Sequence, residues 1–511
     1  MAGKQPTFKP YNQQQIMLLP PSLEELVPKS HPVRIVNEVI NKVNLGPLNA
    51  AYKTTGASSY HPQMLLKVLV YGYVSNVYSS RKLEAACKES IYFMWVSGMS
   101  YPDHNTINRF RGVRLKEALR SVFEEVVLLL AQEGLLSIEE ICIDGTKIEA
   151  NANRYTFVWK KAIATNKEKM KQQLKHIWEY AQSVAAKEDD LPDPPDFTAI
   201  DTQKVQSTVD KLNEVLSKKK DVDKKTRAKL AYVTKHYPVN IARYEMQEAI
   251  LEERNSYSKT DTDATFMRLK EDHMRNGQLK PAYNIQISSS NQYIVNYTIH
   301  PNPTDTTTLT DHITQHEESF KSSPKVVIAD AGYGSHENYT LLESKEIAAY
   351  VKYGMFDKQQ NKKYKAKKPF SADKLFYNLQ QDCYICPIGQ RMEYIGDIKS
   401  KTSTGFQQTL RRYQAQNCYN CPLNGACHKS KGNRIIQVNV ELERQKNKAH
   451  ELLNSPEGIE RRKKRCFDVE PVFASIKSNH GFRRFMLRGK EKVEIEFGLL
   501  AIAQNIRKKA A

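Results

Sequence analysis

The chain has 511 residues and carries 77 Lys and Arg against 57 Asp and Glu, which gives a formal net charge of +20 and a pI of about 9.3. At roughly 150 residues per domain, this length suggests about three domains. Hydrophobic residues make up 40% of the chain, but no apolar run approaches the roughly 20 residues that a membrane span needs. Eight cysteines are too sparse for a secreted disulfide scaffold. The composition therefore predicts a soluble globular protein.

The excess of positive charge indicates a polyanionic partner, because clustered Lys and Arg gain affinity by releasing counterions. The first fifteen residues, MAGKQPTFKPYNQQQ, lack the apolar core of a secretory signal. We therefore expect the protein to stay inside the cell. Ribosomal, nuclease and recombinase classes all remain open on this basis.

The first part of the chain, from about residue 15 to 135, has apolar residues at helical spacing, as in HPVRIVNEVINKVN and HPQMLLKVLVYGYVSN. This pattern predicts an all-helical N-terminal domain over residues 1–135 that binds DNA or dimerises. Within it, residues 79–120 run from a polar turn into a basic helix. A helix-turn-helix arrangement and a helical bundle with a basic outer face are equally good interpretations of this segment.

The pattern changes at Ile141, where a short alternating strand is expected to end at Asp144. Residues 155–259 follow, a polar stretch rich in Lys, Gln and Glu with helical periodicity. We interpret it as an inserted helical hairpin or coiled arm. Its Lys side chains could bind DNA, although the default interpretation is that they form the solvated face of a helix.

Strand signals return after the arm, where residues 282–290 and 293–300 form a predicted hairpin. A helix is expected from about Thr306, capped by Thr304 or Asp305, and the apolar run VVIA then predicts a strand that ends at Asp330. Another helix and strand come before a basic insert over residues 356–435. Two helices, VEPVFASIKSN and KVEIEFGLLAIAQNI, are predicted near the end of the chain.

Without the two inserts, this order of elements matches a ribonuclease-H-like α/β core over residues 136–511. In such a core the first and fourth strands lie side by side, so that Asp144 and Asp330 would meet at one end of the sheet, and a carboxylate on a C-terminal helix, Glu470, would complete a metal site. Hard Mg²⁺ or Mn²⁺ ions prefer oxygen ligands, and a pair of them suits phosphodiester transfer.

Each of these acids has an alternative role. Asp144 and Asp330 both precede turn-forming residues and could be solvated turn positions. We choose Glu470 as the third acid because Lys477 lies two helical turns later on the same face, where its amine could hold a phosphate. Other glutamates on nearby helices compete with Glu470 for this role: Glu460, Glu494 and Glu496.

The basic insert contains two CxxC pairs separated by 31 residues. Paired CxxC units resemble a zinc ribbon, since each pair offers two thiolates to one tetrahedral ion. Cys427 and His428 are spare candidate ligands, and a set of reduced buried thiols is the alternative. The predicted structural zinc ligands are Cys383, Cys386, Cys418 and Cys421.

Four blocks of sequence carry a more specific resemblance: IDGTKIEANAN around Asp144, residues 263–286, VVIADAGYGSHENY around Asp330, and residues 469–496. In these blocks the chain resembles bacterial insertion-sequence transposases of the DDE class, in the branch with a helical N-terminal domain and a cysteine-bearing insert before the last acid. The resemblance implies that Asp144, Asp330 and Glu470 are the catalytic triad.

The same resemblance implies that Lys477 is the lysine of a tyrosine-arginine-glutamate-lysine signature. The arginine and tyrosine positions of that signature hold Cys466 and Lys463 here. The run RRKKR at residues 461–465, which includes Lys463, supplies nearby charge, so we take Arg462 and Arg465 as the residues that contact DNA.

For function, the resemblance implies an enzyme that binds terminal inverted repeats as a dimer or larger assembly, cleaves the element ends, and joins the 3′ hydroxyls to target DNA. It also implies a bacterial, cytoplasmic and nucleoid-associated protein. Two alternatives remain. One is an inactive or repurposed transposase that acts as a sequence-specific DNA-binding protein, and the other is a ribonuclease-H-like nuclease that never joins strands.

Overall fold

A computed structural model describes residues 22–50, 52, 59–185, 195–197, 200–217, 222–269, 277–361 and 370–511. The chain divides into two compact units. The first is formed by Met1–Leu128 together with Phe497–Ala511, and the second by Leu129–Glu496.

The first unit is helical, as the apolar spacing of its sequence predicts. Its N-terminal helices are α1 (Leu23–Leu26), α2 (Pro32–Lys42), α3 (Gly46–Ala50), α4 (Pro62–Val74), α5 (Ser80–Glu89), α6 (Ile91–Ser97), α7 (His104–Arg109) and α8 (Leu119–Gln132), and a π-helical turn, Phe110–Arg114, follows α7.

Two of these helices begin with the same His-Pro pair. The ring nitrogen of His31 accepts a hydrogen bond from the backbone N–H of Val33 at the start of α2, and His61 does the same for Gln63 at the start of α4. The following proline takes the first helical position, where no backbone N–H is needed. Each pair therefore fixes where its helix begins.

The second unit mixes strands and helices. Up to residue 300 it contains β1 (Glu140–Glu149), β2 (Phe157–Trp159), α9 (Lys160–Ala185), α10 (Thr202–Ser217), α11 (Lys224–Leu251), β3 (Ser256–Ser258), β4 (Thr265–Arg268), β5 (Leu279–Ser290) and β6 (Tyr293–His300). The remaining elements are α12 (Leu309–Phe320), β7 (Val326–Ala329), α13 (His336–Ser344), β8 (Ala348–Val351), α14 (Phe356–Gln360), β9 (Phe376–Asn378), β10 (Cys383–Ile385), β11 (Arg391–Lys401), β12 (Gln407–Ala415), β13 (Ile435–Val438), α15 (Val440–Asn454), α16 (Pro456–Asp468) and α17 (Glu470–Ala474). The last helix, α18 (Lys490–Ala510), begins in this unit, and its part from Phe497 onward belongs to the first.

Among the described residues, six strands form the main sheet. Its order is β6–β5–β1–β7–β8. The sixth strand, β4, pairs with the first four residues of β5, and β6 pairs with the rest of that strand. The strand β1 runs antiparallel to β5 and parallel to β7, and β8 is parallel to β7. The predicted hairpin is confirmed: β5 and β6 are joined by Asn291 and Gln292, which both have positive φ. This is the conformation that a two-residue hairpin turn requires.

The polar arm is more than a hairpin. In the described part of the arm, three long helices, α9, α10 and α11, pack around a buried cluster of their own that includes Leu174, Trp178 and Val209. The short strands β2 and β3 pair at the base of the arm, with Val158 opposite Tyr257. The arm therefore leaves the sheet and returns to it at neighbouring points.

The cysteine-bearing insert forms a separate antiparallel sheet in the described residues, in the order β13–β12–β11–β10–β9. Most of its area is the long hairpin of β11 and β12. A small cluster around Met392, Tyr413 and Ile436 fills one face. The insert thus has its own core.

Candidate active site

Two of the predicted acids lie next to each other at one edge of the main sheet. The parallel register between β1 and β7 pairs Cys142 with Ile328 and Ile143 with Ala329. The next residue along each strand is an aspartate, Asp144 on β1 and Asp330 directly after β7. Neighbouring strands lie about 4.8 Å apart, so the register brings the two carboxylates into one small region.

The position of Asp144 differs from the sequence expectation in one respect. The strand β1 does not end there but continues to Glu149, because its second half pairs with β5 and its last residue also bridges Arg484. The pairing of β1 with β7 is what ends at Ile143. Asp144 therefore stands where the neighbouring strand β7 stops pairing with β1.

Helix α16 brings positive charge to this edge. Arg465 donates a hydrogen bond to Asp144 over 3.3 Å, and both side chains are mostly buried. One turn earlier, Arg461 pairs with Glu140 on β1 at 3.2 Å. Lys464 also pairs with Glu140, at 3.5 Å, so that three ion pairs hold the helix to the strand. Of the two arginines predicted to contact DNA, Arg465 lies beside the acids.

A third aspartate, which sequence analysis considered only as a helix cap, joins the acids. Asp305 lies in a 3₁₀ turn between β6 and α12, and Thr304 takes the cap position before it. The Oδ1 atom of Asp305 accepts hydrogen bonds from Asn284 Nδ2 at 2.8 Å and Gln286 Nε2 at 3.0 Å. Both amides belong to β5 and are fully buried.

Tyr333 ties this network to the segment after Asp330. Its hydroxyl donates a hydrogen bond to Gln286, and its side chain is almost completely buried. Burial raises the pKa of Tyr333 well above its usual value, and the negative charges of Asp305, Asp144 and Asp330 raise it further. The pKa of this buried phenol is therefore affected by all three aspartates.

The remaining predicted residues lie on or near the following helices. Glu470 is the first residue of α17, and its side chain is exposed. Lys477 lies in a π-helical turn, Ser475–Asn479, and is buried. The guanidinium of Arg462 stacks on the ring of Phe356 at 5.0 Å, away from the contact that Arg465 makes with Asp144.

Two family models match the chain. The model described as "Transposase DDE domain" matches residues 385–510, a range that contains Glu470 but neither Asp144 nor Asp330. The model described as "Transposase domain (DUF772)" matches residues 21–112 in the helical N-terminal unit. These matches support an insertion-sequence DDE transposase. No curated protein and no solved structure matches the chain.

The two matches point in general to a DNA transposase, and the DDE-domain match points to nuclease or transferase chemistry. No helix among the described residues is long and apolar enough to cross a membrane.

The cysteine-bearing insert does not bring the four predicted zinc ligands together. Cys386 and Cys418 pack against the core of the insert, whereas Cys383 is buried within β10, three residues before Cys386. A small cavity is lined instead by Cys386, Cys418, Cys421, Cys427 and His428. Three of the predicted ligands therefore lie with both spare candidates, and Cys383 is not among them.

This cavity is occupied in part by an arginine. The guanidinium of Arg434 lies 2.8 Å from the sulfur of Cys427, and its backbone N–H donates to the sulfur of Cys418 at 3.3 Å. Across the described ranges, no three His, Cys, Asp or Glu side chains converge closely enough to hold a metal ion as they stand. The structure therefore gives no support for a zinc ion in the insert.

Proposed function

We propose that this transposase binds the terminal inverted repeats of its element, cleaves the ends, and joins the 3′ hydroxyls to target DNA at a site formed by Asp144, Asp330 and Glu470. The observation that carries the proposal is the register of β1 and β7, which sets Asp144 and Asp330 side by side although they are 186 residues apart in the chain. The family match over Glu470 supports the third acid.

We infer that the main sheet is the ribonuclease-H-like core expected from the sequence. The order β6–β5–β1–β7–β8, with only β5 antiparallel to β1, supports this assignment because it places the first and fourth core strands side by side. On this basis residues 1–135 form the DNA-binding or dimerisation domain and residues 136–511 the catalytic domain, with inserts at 155–259 and 356–435.

The acids at this edge suit divalent Mg²⁺ or Mn²⁺. Their donor atoms are hard carboxylate oxygens, which these ions prefer. At Gly332 an added Cβ would lie only 2.9 Å from Asp330 Oδ1, so the absence of a side chain there keeps the carboxylate accessible. When bound, a pair of such ions activates the attacking water or hydroxyl and stabilises the leaving oxygen.

The protein groups position the acids. The backbone N–H of Gly145 donates to Asp144 Oδ1, and that of Gly332 donates to Asp330 Oδ1, both at 2.8 Å. Arg465 holds the other oxygen of Asp144. We assign Lys477 and Arg465 to DNA phosphates next to the acids and give Arg462 a supporting role, because its guanidinium stacks on Phe356. We also propose that the protein acts on DNA as a homodimer or a larger assembly.

The test uses labelled duplexes from the two flanks of the gene, incubated with the full chain in Mg²⁺. Alanine at Asp144, Asp330 or Glu470 is expected to abolish end cleavage while gel-shift binding remains. Asp357→Asn, which changes an exposed acid paired with Lys352, is the matched control and should cut normally. Cleavage by Asp330→Ala would overturn the assignment.

The products separate the alternatives. Strand-transfer species support a transposase, whereas hydrolysed ends without joined products indicate a nuclease. Binding without cleavage in Mg²⁺ or Mn²⁺ indicates a repurposed DNA-binding protein.

A further inference from the structure

Helix α11 of the arm carries a surplus of positive charge that no acid offsets. Over residues 224–244 it has six Lys and Arg side chains and no acid, and all six are exposed. None of them forms an ion pair within the part of the chain that the structure describes, whereas Lys167 on α9 pairs with Glu248 at 2.6 Å. Helix α10, in the same arm, carries two lysines and two acids. The six basic residues of α11 are Lys224, Lys225, Arg227, Lys229, Lys235 and Arg243.

The charges at the start of α11 do not stabilise the helix. Its first turn contains Lys224, Lys225 and Arg227 and has no acidic residue. The N-terminus of a helix carries a partial positive charge, so that acids stabilise this end and cations oppose it. The position of these basic residues therefore argues for a role other than the stability of the helix.

Part of the charge forms a line along one side of α11. Residues three, four or seven positions apart lie on the same face of a helix. The opposite face of α11 packs into the core of the arm through Leu230, Val233 and Ile241, so the line faces solvent. The ring of Tyr232, which belongs to the line, is 56% exposed. We call this line the α11 stripe, and its members are Lys225, Lys229, Tyr232, His236 and Arg243.

A groove of about 360 Å³ lies between the α11 stripe and helix α9. Lys225, Lys229 and Tyr232 line it from α11, and Gln173 and His176 line it from α9. Amines beside an exposed aromatic ring suit a sugar-phosphate backbone, because the amines meet the phosphates and the ring packs against sugars or bases. The groove therefore has the chemistry of a nucleic-acid contact.

A nucleic acid fits this surface better than a second copy of the chain. Val239 and Met246 on α11 are 68% and 69% exposed, and a second α11 would cover them. Such a pair would also bring together two helices that have no acid over residues 224–244, so that like charges would repel. A polyanion removes this repulsion and gains affinity by releasing counterions. Because the family matches point to a DNA transposase, DNA is the occupant that the charges favour.

We propose that the α11 stripe and the groove beside it bind the sugar-phosphate backbone of double-stranded DNA without reading its sequence. The inference rests on the proposed function for the identity of the ligand, and it adds a binding surface that belongs to the arm. Over residues 225–243 the stripe is about 27 Å long. It therefore follows about eight base pairs of a duplex.

DNA binding without a divalent ion tests the inference separately from cleavage. The probe is a fluorescein-labelled duplex of about 30 base pairs and unrelated sequence, titrated with the full chain in EDTA and followed by anisotropy at roughly 50 to 200 mM salt. The double variant Lys225→Gln, Lys229→Gln loses two phosphate contacts. We expect about 10-fold weaker binding at the lowest salt, and a slope of log K against log salt that is smaller by about 1.8. A duplex from the flanks of the gene should lose the same factor, because phosphate contacts carry no sequence information.

Two double variants are controls. Lys204→Gln, Lys211→Gln removes the same number of charges from α10 of the same arm and should keep the affinity and the salt slope. Lys225→Arg, Lys229→Arg keeps both charges of the stripe and should bind as the unmodified chain does. All these positions are exposed, and circular dichroism checks that each variant folds. Arg243→Gln, further along the stripe, is an independent variant and should reduce the salt slope by about 0.9.

The outcomes separate this inference from its alternatives. An unchanged salt slope in the folded stripe variants, or an equal loss of affinity in the α10 control, would overturn it. If sedimentation velocity shows a DNA-free dimer that the stripe variants break, while their salt slope for DNA stays the same, the stripe is an interface between two copies and the inference is wrong. Failure of the proposed function has a different signature. An unmodified chain that binds the duplex through the stripe but never cleaves it in Mg²⁺ would retain the DNA-binding surface and lose the catalytic proposal.

Discussion

Asp468 is the last residue of α16 and Glu470 the first of α17, yet the two side chains have different surroundings. The carboxylate of Asp468 is buried and accepts hydrogen bonds from the backbone N–H groups of Asn291 at 2.9 Å and Gln292 at 2.7 Å. It thus caps the tight turn of the β5–β6 hairpin and ties α16 to the sheet. Glu470 is exposed at the start of its helix. Only one of these acids is therefore available for chemistry.

This contrast gives a paired prediction. Asp468→Asn leaves the turn without its carboxylate, and the free energy of unfolding should fall by about 1.5–3 kcal/mol, the usual value for hydrogen bonds to a charged group. Glu470→Gln alters an exposed position, so stability should change by less than about 0.5 kcal/mol while end cleavage is lost. Urea unfolding and the cleavage assay measure the two effects. A stable Asp468→Asn protein that cannot cut, beside an active Glu470→Gln protein, would make Asp468 the third acid.

At the scale of single elements, helix α12 covers the main sheet with two buried histidines. His312 bonds through both ring nitrogens to hydroxyls of Ser288 and Thr298, at 2.6 and 2.8 Å. His316 packs edge-on against Phe320, with ring centroids 4.9 Å apart. Burial lowers the pKa of His316 to about 4, although the charge of Glu317 opposes this shift. The helix is therefore built around a neutral imidazole.

The lowered pKa of His316 predicts how the free energy of unfolding depends on pH. Between the unfolded pKa of about 6.5 and the folded value of about 4, the unfolded chain binds a proton that folded His316 does not. Stability should therefore fall as the pH drops through this window. From pH 7 to pH 5, His316 contributes a loss of about 2 kcal/mol.

Urea unfolding at the two pH values checks this prediction. The His316→Leu variant should lose about 2 kcal/mol less than the unmodified chain between pH 7 and pH 5. His176→Leu, at an exposed position on α9, is the control. Equal losses in all three proteins would contradict a buried neutral His316.

The order of elements follows from the periodicity of the sequence, because apolar alternation and helical spacing are local signals. The hairpin, the strand before Asp330 and the late helices are of this kind. The true length of β1 is not local, because its second half is a strand only through pairing with β5. Asp305 was missed for the same reason: a Thr-Asp pair before a helix signals a cap, and the amides that hold Asp305 come from β5. The set of cysteines around the cavity of the insert was likewise not predictable, because it depends on how distant parts of the insert fold together.

At the scale of the whole molecule, the first unit is discontinuous in sequence. Its last part is Phe497–Ala511, the C-terminal portion of α18, whose residues from Leu499 to Ile506 are almost all buried. The guanidinium of Arg507 donates to the carbonyl of Val74 at 3.0 Å and to the side chain of Asn76 at 2.8 Å. Arg507 thus donates hydrogen bonds at the end of α4, where the last carbonyl groups of a helix have no partner within the helix.

Arg507→Ala should therefore weaken the first unit. We expect a loss of about 1.5–3 kcal/mol, since charged hydrogen bonds to helix-end carbonyls disappear. Hydrogen–deuterium exchange of the α4 amides, which reports local opening, is the measurement. Lys82→Ala, at an exposed position on α5, is the control and should leave exchange unchanged. Unchanged α4 exchange in Arg507→Ala would show that the end of the chain does not stabilise this unit.

The discontinuity of the first unit also sets an order of events during synthesis. Leu128 and Phe497 are separated by 497 − 128 = 369 positions. At about 5–20 residues per second, a ribosome needs roughly 20–70 seconds to cover that distance. During this time the N-terminal helices are already made but lack the segment that completes their core. Only copies that include Phe497–Ala511 can therefore complete the core of the first unit.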